Sequence, residues 1–329
     1  MKIGLIANPV EYDLNKDLDM ITPSSTALLG NRFLNRGHHV YTFNPRDIGV
    51  YQNQVRGKAK LITGQSMQGF CSEAFDENGT ENIHLNEMDV IFPRSLPGEV
   101  NGKPNAELQQ EYFNLLGLLE TLKKPYLINN PTGVKIAYDK TALIRFADII
   151  PETSILNDPN EIYNLVKQYG MAVTKPLSGY GGEGIEKHVR HSVFVMDDLI
   201  RITDNGKKSV IVQDYVKGVE EFGDKRIFVW KGQPLGGFAR IPKKGDFRSN
   251  VHVGAKMIKT ELNDRDYEIC AILKPFLIEN GLNLVGIDVV GRFLMEINVR
   301  SPGGMEDINK FNNVSLDEFI VNEIEKCFN

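Results

Sequence analysis

The chain has 329 residues, 25% of them charged and 41% hydrophobic, with three cysteines and a formal net charge of −5. That length supports two or three domains around buried cores, and the composition excludes a fibrous, disordered or disulfide-stapled protein. The acidic balance argues against general nucleic-acid affinity, which needs clustered Lys and Arg to neutralise phosphates.

The first residues, Met1 to Pro9, hold too short an apolar run for a signal peptide and read as a strand over Lys2 to Ala7. No stretch approaches the length needed to cross a bilayer, and Cys71, Cys270 and Cys327 are widely spaced, so a reducing cytoplasm is expected. A helix over Thr26 to Arg36, stopped by Gly37, and a strand over Val40 to Phe43 complete a β-α-β opening. That is the start of a parallel sheet. Residues 52–82 are polar and Gly-rich with weak periodicity, and no element is predicted there. A buried strand over Met88 to Arg94 ends on the charged Arg94, a helix covers Ala106 to Leu122, and a strand covers Pro125 to Ile128. The run Asn129-Asn130-Pro131-Thr132-Gly133 punctuates the chain and marks a domain boundary.

From Tyr138 the pattern changes to a helix carrying Lys140, a helix over Asn160 to Tyr169 closed by Gly170, and a strand over Met171 to Lys175. A strand over Ile185 to Val189, a helix over Val193 to Ile202 and a short buried strand over Ser209 to Tyr215 come next. The remainder is rich in hairpins: Arg226 to Trp230 with Leu235 to Ile241, then Leu284 to Val290 with Phe293 to Val299 across a Gly291-Arg292 turn. Between them lie a charged, aperiodic segment from Pro242 to Asn250, suited to a lid, and a helix over Asp264 to Glu279. A terminal helix runs from Leu316 to Cys327.

The late hairpin carries the strongest chemical signal. Side chains alternate along a strand, so Glu296 and Asn298 share a face, and Asp288 can sit across from them. Two carboxylates and an amide oxygen suit Mg²⁺, which takes its other ligands from water and substrate phosphates; the alternative is a solvated acidic hairpin. Ser178-Gly179-Tyr180-Gly181-Gly182, after a strand ending in Lys175, can present backbone N–H groups to phosphate oxygens. The segment matches G-x-G-x-x-G, yet a dinucleotide fingerprint must open a helix, and Ile185 to Val189 alternate apolar and polar like a strand. No Walker-type loop and no G-x-S-x-G motif are present. Lys140 and Lys175 can each bring a cation to a polyphosphate, and Gln213-Asp214-Tyr215-Val216 end a buried strand where backbone groups can read an adenine edge. Asp224, Arg226, Arg240 and Arg248 bring charge to the same stretch, and guanidinium groups grip carboxylates and phosphates bidentately. The histidines, including the His188/His191 pair, lack convincing metal or catalytic partners.

Taken in order, a helical lysine, K-P-L-S-G-Y-G-G, Q-D-Y-V, D-K-R, A-R-I-P and V-G-I-D-V-V-G-R-F-L-M-E-I-N-V-R-S-P-G-G resemble the ATP-grasp ligases, and within them the prokaryotic glutathione synthetases. The resemblance implies an α/β ATP-grasp fold: an N-terminal parallel-sheet domain over 1–130, then two α+β domains over 131–206 and 207–329 that clamp the nucleotide. It implies ATP as co-substrate, with Lys140, Lys175, residues 178–182, Gln213 to Val216 and Asp224 on the nucleotide. Asp288, Glu296 and Asn298 are expected on Mg²⁺, with Mn²⁺ as an alternative. Arg226, Arg240 and Asn250 are expected on the transferred phosphoryl and acyl groups, and Arg94, Arg248, Ser301, Gly303 and Gly304 on substrate. The implied reaction joins a carboxylate to an amine through an acyl phosphate, in a homo-oligomer acting on small molecules, without nucleic acid or membrane. Two stretches depart from the family pattern: Ser95-Leu96-Pro97-Gly98-Glu99 replaces an acidic-proline run, and Arg300-Ser301-Pro302-Gly303-Gly304 replaces T-S-P-T-G. Both lie where substrates are expected, so a ligase for another amino acid or peptide pair, and a non-catalytic nucleotide-binding protein, stay open.

Overall fold

The computed structural model describes residues 1–7, 24–74, 76, 78–94, 99–100, 103–104, 106–177, 183–249 and 254–328. The predicted loop from Ser178 to Gly182, Asn250 and the stretch 95–98 lie outside the described residues.

The β-α-β opening forms because Lys2–Ile6 (β1) and His39–Phe43 (β2) are apolar runs of strand length joined through helix α1 (Ser25–Asn35), whose first turn is capped by Ser24 accepting from the Ala27 N–H at 3.1 Å. Strands β3 (Gly49–Tyr51), β4 (Gln54–Leu61), β5 (Glu81–His84) and β6 (Val90–Pro93) follow, with helix α2 (Met67–Glu73) between β4 and β5. After the hairpin β7 (Glu99–Val100) and β8 (Lys103–Pro104) and helix α3 (Ala106–Glu120), β9 (Tyr126–Leu127) closes the sheet in the order β3-β4-β2-β1-β6-β9, with β5 on β4. Strands β2, β1, β6 and β9 make the expected parallel centre; β3, β4 and β5 extend it antiparallel. These extra strands and α2 occupy the stretch where no element was predicted. The buried side of β4 is Val55, Gly57 and Ala59, which alternate correctly but carry little hydrophobic signal.

The Asn129–Gly133 punctuation is a helix start: Asn130 Oδ1 accepts from the Thr132 and Gly133 N–H groups, and Pro131 opens α4 (Pro131–Ile136). Lys140 is the first residue of a 3-10 segment, Lys140–Ile149. The central sheet has β10 (Thr153–Leu156), β11 (Met171–Pro176), β12 (Glu186–Val189) and β13 (Val210–Asp214), ordered β10-β13-β11-β12 and antiparallel throughout. Helices α5 (Pro159–Tyr169) and α6 (Val195–Ile202) bury Ile162, Val166 and Leu199 against Ala172, Val210 and Val212 in a core of their own.

After α7 (Val219–Phe222), the third sheet takes β14 (Asp224–Trp230), β15 (Gln233–Ile241), β16 (Lys256–Lys259), β17 (Leu284–Val290) and β18 (Phe293–Asn298) in the order β16-β15-β14-β17-β18. The β14–β15 turn puts Lys231 and Gly232 at φ 48° and 79°, as a tight two-residue hairpin demands. Helix α8 (Asp264–Glu279), linking β16 to β17, covers one face through Ile269, Leu273 and Leu277. The other face is apolar at one end, where Phe228, Trp230, Phe238 and Leu284 join a core with α1, the N-terminal sheet, α9 (Met305–Asn312) and α10 (Leu316–Glu325). Its opposite end is charged. Among the described residues no helix is long and apolar enough to cross a membrane.

Candidate active site

Strand pairing assembles the charged end. Arg226 on β14 lies opposite Asp288 on β17, which lies opposite Glu296 on β18, so all three side chains rise from the same face. Asp224 lies opposite Arg240 on β15. Arg226 grips Asp288 in a fork, Nε to Oδ1 at 2.6 Å and Nη2 to Oδ2 at 3.1 Å. Arg240 grips Asp224 likewise at 2.7 and 2.6 Å and reaches Asp288 Oδ2 at 3.0 Å. Burial works against the Asp288 charge, but Arg226 and Arg240 outweigh it and hold the carboxyl well below the usual carboxylate range. Asp224 goes the other way: burial pushes it up to about 6 against the pull of Arg240.

Glu296 is different. It makes no hydrogen bond or ion pair among the described residues, and burial, followed by the nearby Asp288 charge, raises its pKa while Lys140, Arg226 and Lys175 oppose the rise. Asn298 donates from Nδ2 to Asp288 Oδ2 at 3.4 Å. Two carboxylates and an amide on one sheet face are hard oxygen donors of the kind Mg²⁺ takes, and the uncommitted Glu296 carboxylate, half-buried beside cations, fits such an ion. No cluster of three or more His, Cys, Asp or Glu side chains is gathered for a metal among the described residues.

Across from this face stands the central sheet, and between the two lies a cleft. Lys175, at the end of β11, and Lys140 reach into it. Burial lowers the Lys175 pKa to about 8, with Glu296 opposing; burial also lowers Lys140, with Glu296 again opposing and Arg300 adding to the fall. Deeper in, Val173, Ile185, Val216, Val290 and Met295 make an apolar slot. Met295 points there because a bulge in β18 inserts one extra residue between the partners of Asp288 and Val289. Gln213, at the slot's edge, donates from Nε2 to Thr153 Oγ1 at 2.9 Å and keeps a buried Oε1 without a partner among the described residues.

The cleft therefore gathers Lys140, Lys175, Gln213, Asp214, Tyr215, Val216, Asp224, Arg240, Arg248, Asp288 and Glu296. Arg248 arrives on the 242–249 segment, where it pairs with Asp246 at 2.8 Å. Arg226 and Asn298 stand behind the lining, joined to it through Asp288. The remaining expected substrate residues sit elsewhere. Arg94 is buried at the end of β6, donating to Thr26 Oγ1 at 2.7 Å and to the Pro302 carbonyl at 2.9 Å. Gly303 accepts from Arg226 Nη1 at 3.4 Å through its carbonyl, Gly304 caps α9 at φ 100°, and Ser301 lies between them and the end of β18. Sequence reasoning missed Val290, Met295 and Phe247 as cleft walls. The signal was available in the hairpin itself, since Leu294 stands out of step with the apolar/polar alternation from Met295 to Val299.

An apolar slot that leads to two lysines and an opposing carboxylate suits a ligand with a flat base at one end and a polyphosphate at the other. The chain's similarity to known proteins fits that geometry. Residues 139–313 match the prokaryotic glutathione synthetase ATP-grasp domain, and residues 1–135 match the N-terminal domain of the same family. The glutathione synthetase of Synechocystis sp. is 32% identical over 338 residues, covering 100% of both chains. That of Mesorhizobium japonicum is 32% identical over 292 residues, 88% of this chain and 89% of the relative. Among solved structures, a D-cycloserine synthetase shares the fold at a TM-score of 0.60 with 16% identity, covering 94% of each chain. The chain belongs to the prokaryotic glutathione synthetase family of ATP-grasp enzymes and is an ATP-dependent ligase that forms C–N bonds.

Proposed function

We propose that the cleft binds ATP, phosphorylates the carboxylate of γ-glutamylcysteine and passes the acyl group to glycine, giving glutathione, ADP and phosphate. The observation that carries this reading is the convergence of Lys140, Lys175 and Glu296 on one cleft, beside the Arg226–Asp288–Arg240–Asp224 cluster. The slot of Val173, Ile185, Val216, Val290 and Met295 takes the base, and the unpartnered Gln213 Oε1 accepts from its exocyclic amine. Lys140 and Lys175 neutralise the phosphate tail, aided by backbone N–H groups of Ser178, Gly179, Tyr180, Gly181 and Gly182. At an effective dielectric near 20, each close contact is worth roughly 4 kcal/mol before desolvation.

Asp288, Glu296 and Asn298 would hold Mg²⁺, or Mn²⁺, which supplies Lewis-acid neutralisation of the phosphoryl oxygens when bound. The donor carboxylate oxygen attacks the γ-phosphorus, the bond to the bridging oxygen breaks, and ADP leaves. Glycine's amine then attacks the acyl carbon, the C–O bond to phosphate breaks, and the amine proton goes to solvent. Arg240, Arg226 and Asn250 offset the charge that builds on these oxygens; the residues provide electrostatic clamping and no protein nucleophile. Holding both reactants together lowers the barrier by about 7–11 kcal/mol through proximity.

In this reading, residues 1–130, 131–206 and 207–329 act as three units, Arg94, Arg248, Ser301, Gly303 and Gly304 serve the substrate side, and the enzyme works in the cytoplasm as a homo-oligomer. A second reading keeps the chemistry but changes the donor or acceptor, and it is favoured by Arg300-Ser301-Pro302-Gly303-Gly304 in place of the family's usual run. ADP release is expected to require both γ-glutamylcysteine and glycine. A strong preference for another pair, in a panel of carboxylates and amines, would move the assignment to the second reading.

A further inference from the structure

Arg300 is the cation near the site that the activation chemistry leaves unused. It comes after Glu296 and Asn298 at two-residue steps, so an extended backbone carries it roughly 13 Å beyond Glu296. Its guanidinium carbon lies 4.7 Å from the centroid of the Tyr138 ring. That ring rests on Phe113 of α3, with centroids 4.6 Å apart, so the cation stands on an aromatic platform backed by the N-terminal part of the chain. Among the described residues no carboxylate comes within 4.0 Å of it. Asp139 feels its field from farther away, and so does the neighbouring cation Lys140. The next turn of the chain is fixed from two sides, by Arg94 on the Pro302 carbonyl at 2.9 Å and Arg226 on the Gly303 carbonyl at 3.4 Å.

A held guanidinium with no carboxylate in contact among the described residues, with Asp139 only in its longer-range field and a second cation beside it, is a site for an anion. The nucleotide is not that anion, because Arg300 is outside the lining of the nucleotide cleft and lies past Asn298, toward the loop that Arg94 ties down. The reacting carboxylate is not either, since it must meet the γ-phosphate among Lys140, Lys175 and Glu296. We propose that Arg300 binds the non-reacting carboxylate of the acyl donor and thereby sets which donors the enzyme accepts. The planar fork of a guanidinium matches a carboxylate bidentately, which an ammonium does not. The assignment rests on the ligase reading proposed for the cleft.

The test compares γ-glutamylcysteine with its analogue amidated at the glutamyl α-carboxylate, in the full-length wild type, Arg300→Thr and Arg300→Lys, with glycine and ATP saturating. In the wild type the amide is expected to raise the donor KM roughly ten- to hundredfold, the size of a charge-assisted hydrogen bond. Arg300→Thr should raise the KM of the unmodified donor by a similar factor, erase most of the difference between donor and amide, and leave the KM for ATP within about twofold. Arg300→Lys should fall between them, and with the wild-type amide comparison it still decides the matter if the threonine variant does not fold. A wild type indifferent to the amide, or a variant in which donor and ATP KM values rise together, overturns the assignment. Turnover without Arg300 dependence sinks this assignment alone, whereas no turnover with γ-glutamylcysteine and glycine sinks the substrate reading with it.

Discussion

The C-terminal sheet and the central sheet face each other across the cleft, yet the first is buried into the rest of the molecule while the second stands largely on a small core of its own. Phe228, Trp230, Phe238 and Leu284 share one core with Ile3, Leu5 and Phe33, closed by Ile320 and Ile324 of α10. Asn129 sews the joint further, donating to the Leu284 and Val299 carbonyls and accepting from the Leu284 N–H, each at 2.7 Å. Salt bridges Arg32–Asp317 and Arg36–Glu325, each at 2.6 Å, hold α1 to α10. The central sheet instead closes over Ile162, Val166, Val195 and Leu199. It meets the C-terminal sheet through the patch around Val173, Tyr215 and Val290. The charged cluster of Arg226, Arg240, Asp224 and Asp288 thus stands on the braced wall, and the wall carrying Lys175 has less buried area to lose on opening.

The sharpest way to test that contrast is to damage the chemistry without the brace. Glu296→Gln keeps the volume and removes one carboxylate charge, so turnover measured as ADP release should fall by at least about 10²-fold while the melting temperature holds; full activity would refute the role. Damage to the brace should do the reverse. Asn129→Ala leaves the Leu284 N–H and two carbonyls unpaired in a buried joint, and denaturant unfolding is expected to lose about 3 kcal/mol with kcat preserved in the folded fraction. On the other wall, Leu199→Ala should cost about 2–5 kcal/mol locally. Hydrogen exchange would then quicken across 153–214 and stay unchanged in β1 and β17; uniform quickening would erase the distinction between the walls.

The smallest effect concerns pH. Hydrogen bonds from Arg36 first, then from His38, lower the Glu325 pKa from its ordinary value of 4.5. A depressed carboxyl contributes stability above its unfolded pKa and loses it as pH falls through the folded value. Glu325→Gln should therefore flatten the acid limb of stability below about pH 4.5, by no more than about 1 kcal/mol for so exposed a pair.

Much of this was legible in the chain. Both C-terminal hairpins follow from apolar-rich runs of strand length on either side of Lys231-Gly232 and Gly291-Arg292, and α8 begins and ends where its pattern says. Three features were hidden for physical reasons. Strand β4 buries Val55, Gly57 and Ala59, too small to register as a hydrophobic run. Helix α9 buries only Met305 and Ile308 and starts from Gly304, so its amphipathic signal is short. The Arg226–Asp288 fork depends on β14 lying beside β17, a pairing between strands separated by β15, β16 and α8 that no local pattern encodes.

The most direct measurement traces oxygen. With γ-glutamylcysteine labelled by ¹⁸O in its cysteinyl carboxylate, ligation to glycine should deliver one labelled oxygen to each phosphate released, because the acyl phosphate's bridging oxygen leaves with phosphorus. Amide product formed with unlabelled phosphate would contradict transfer through an acyl phosphate, and with it the role assigned to the cleft.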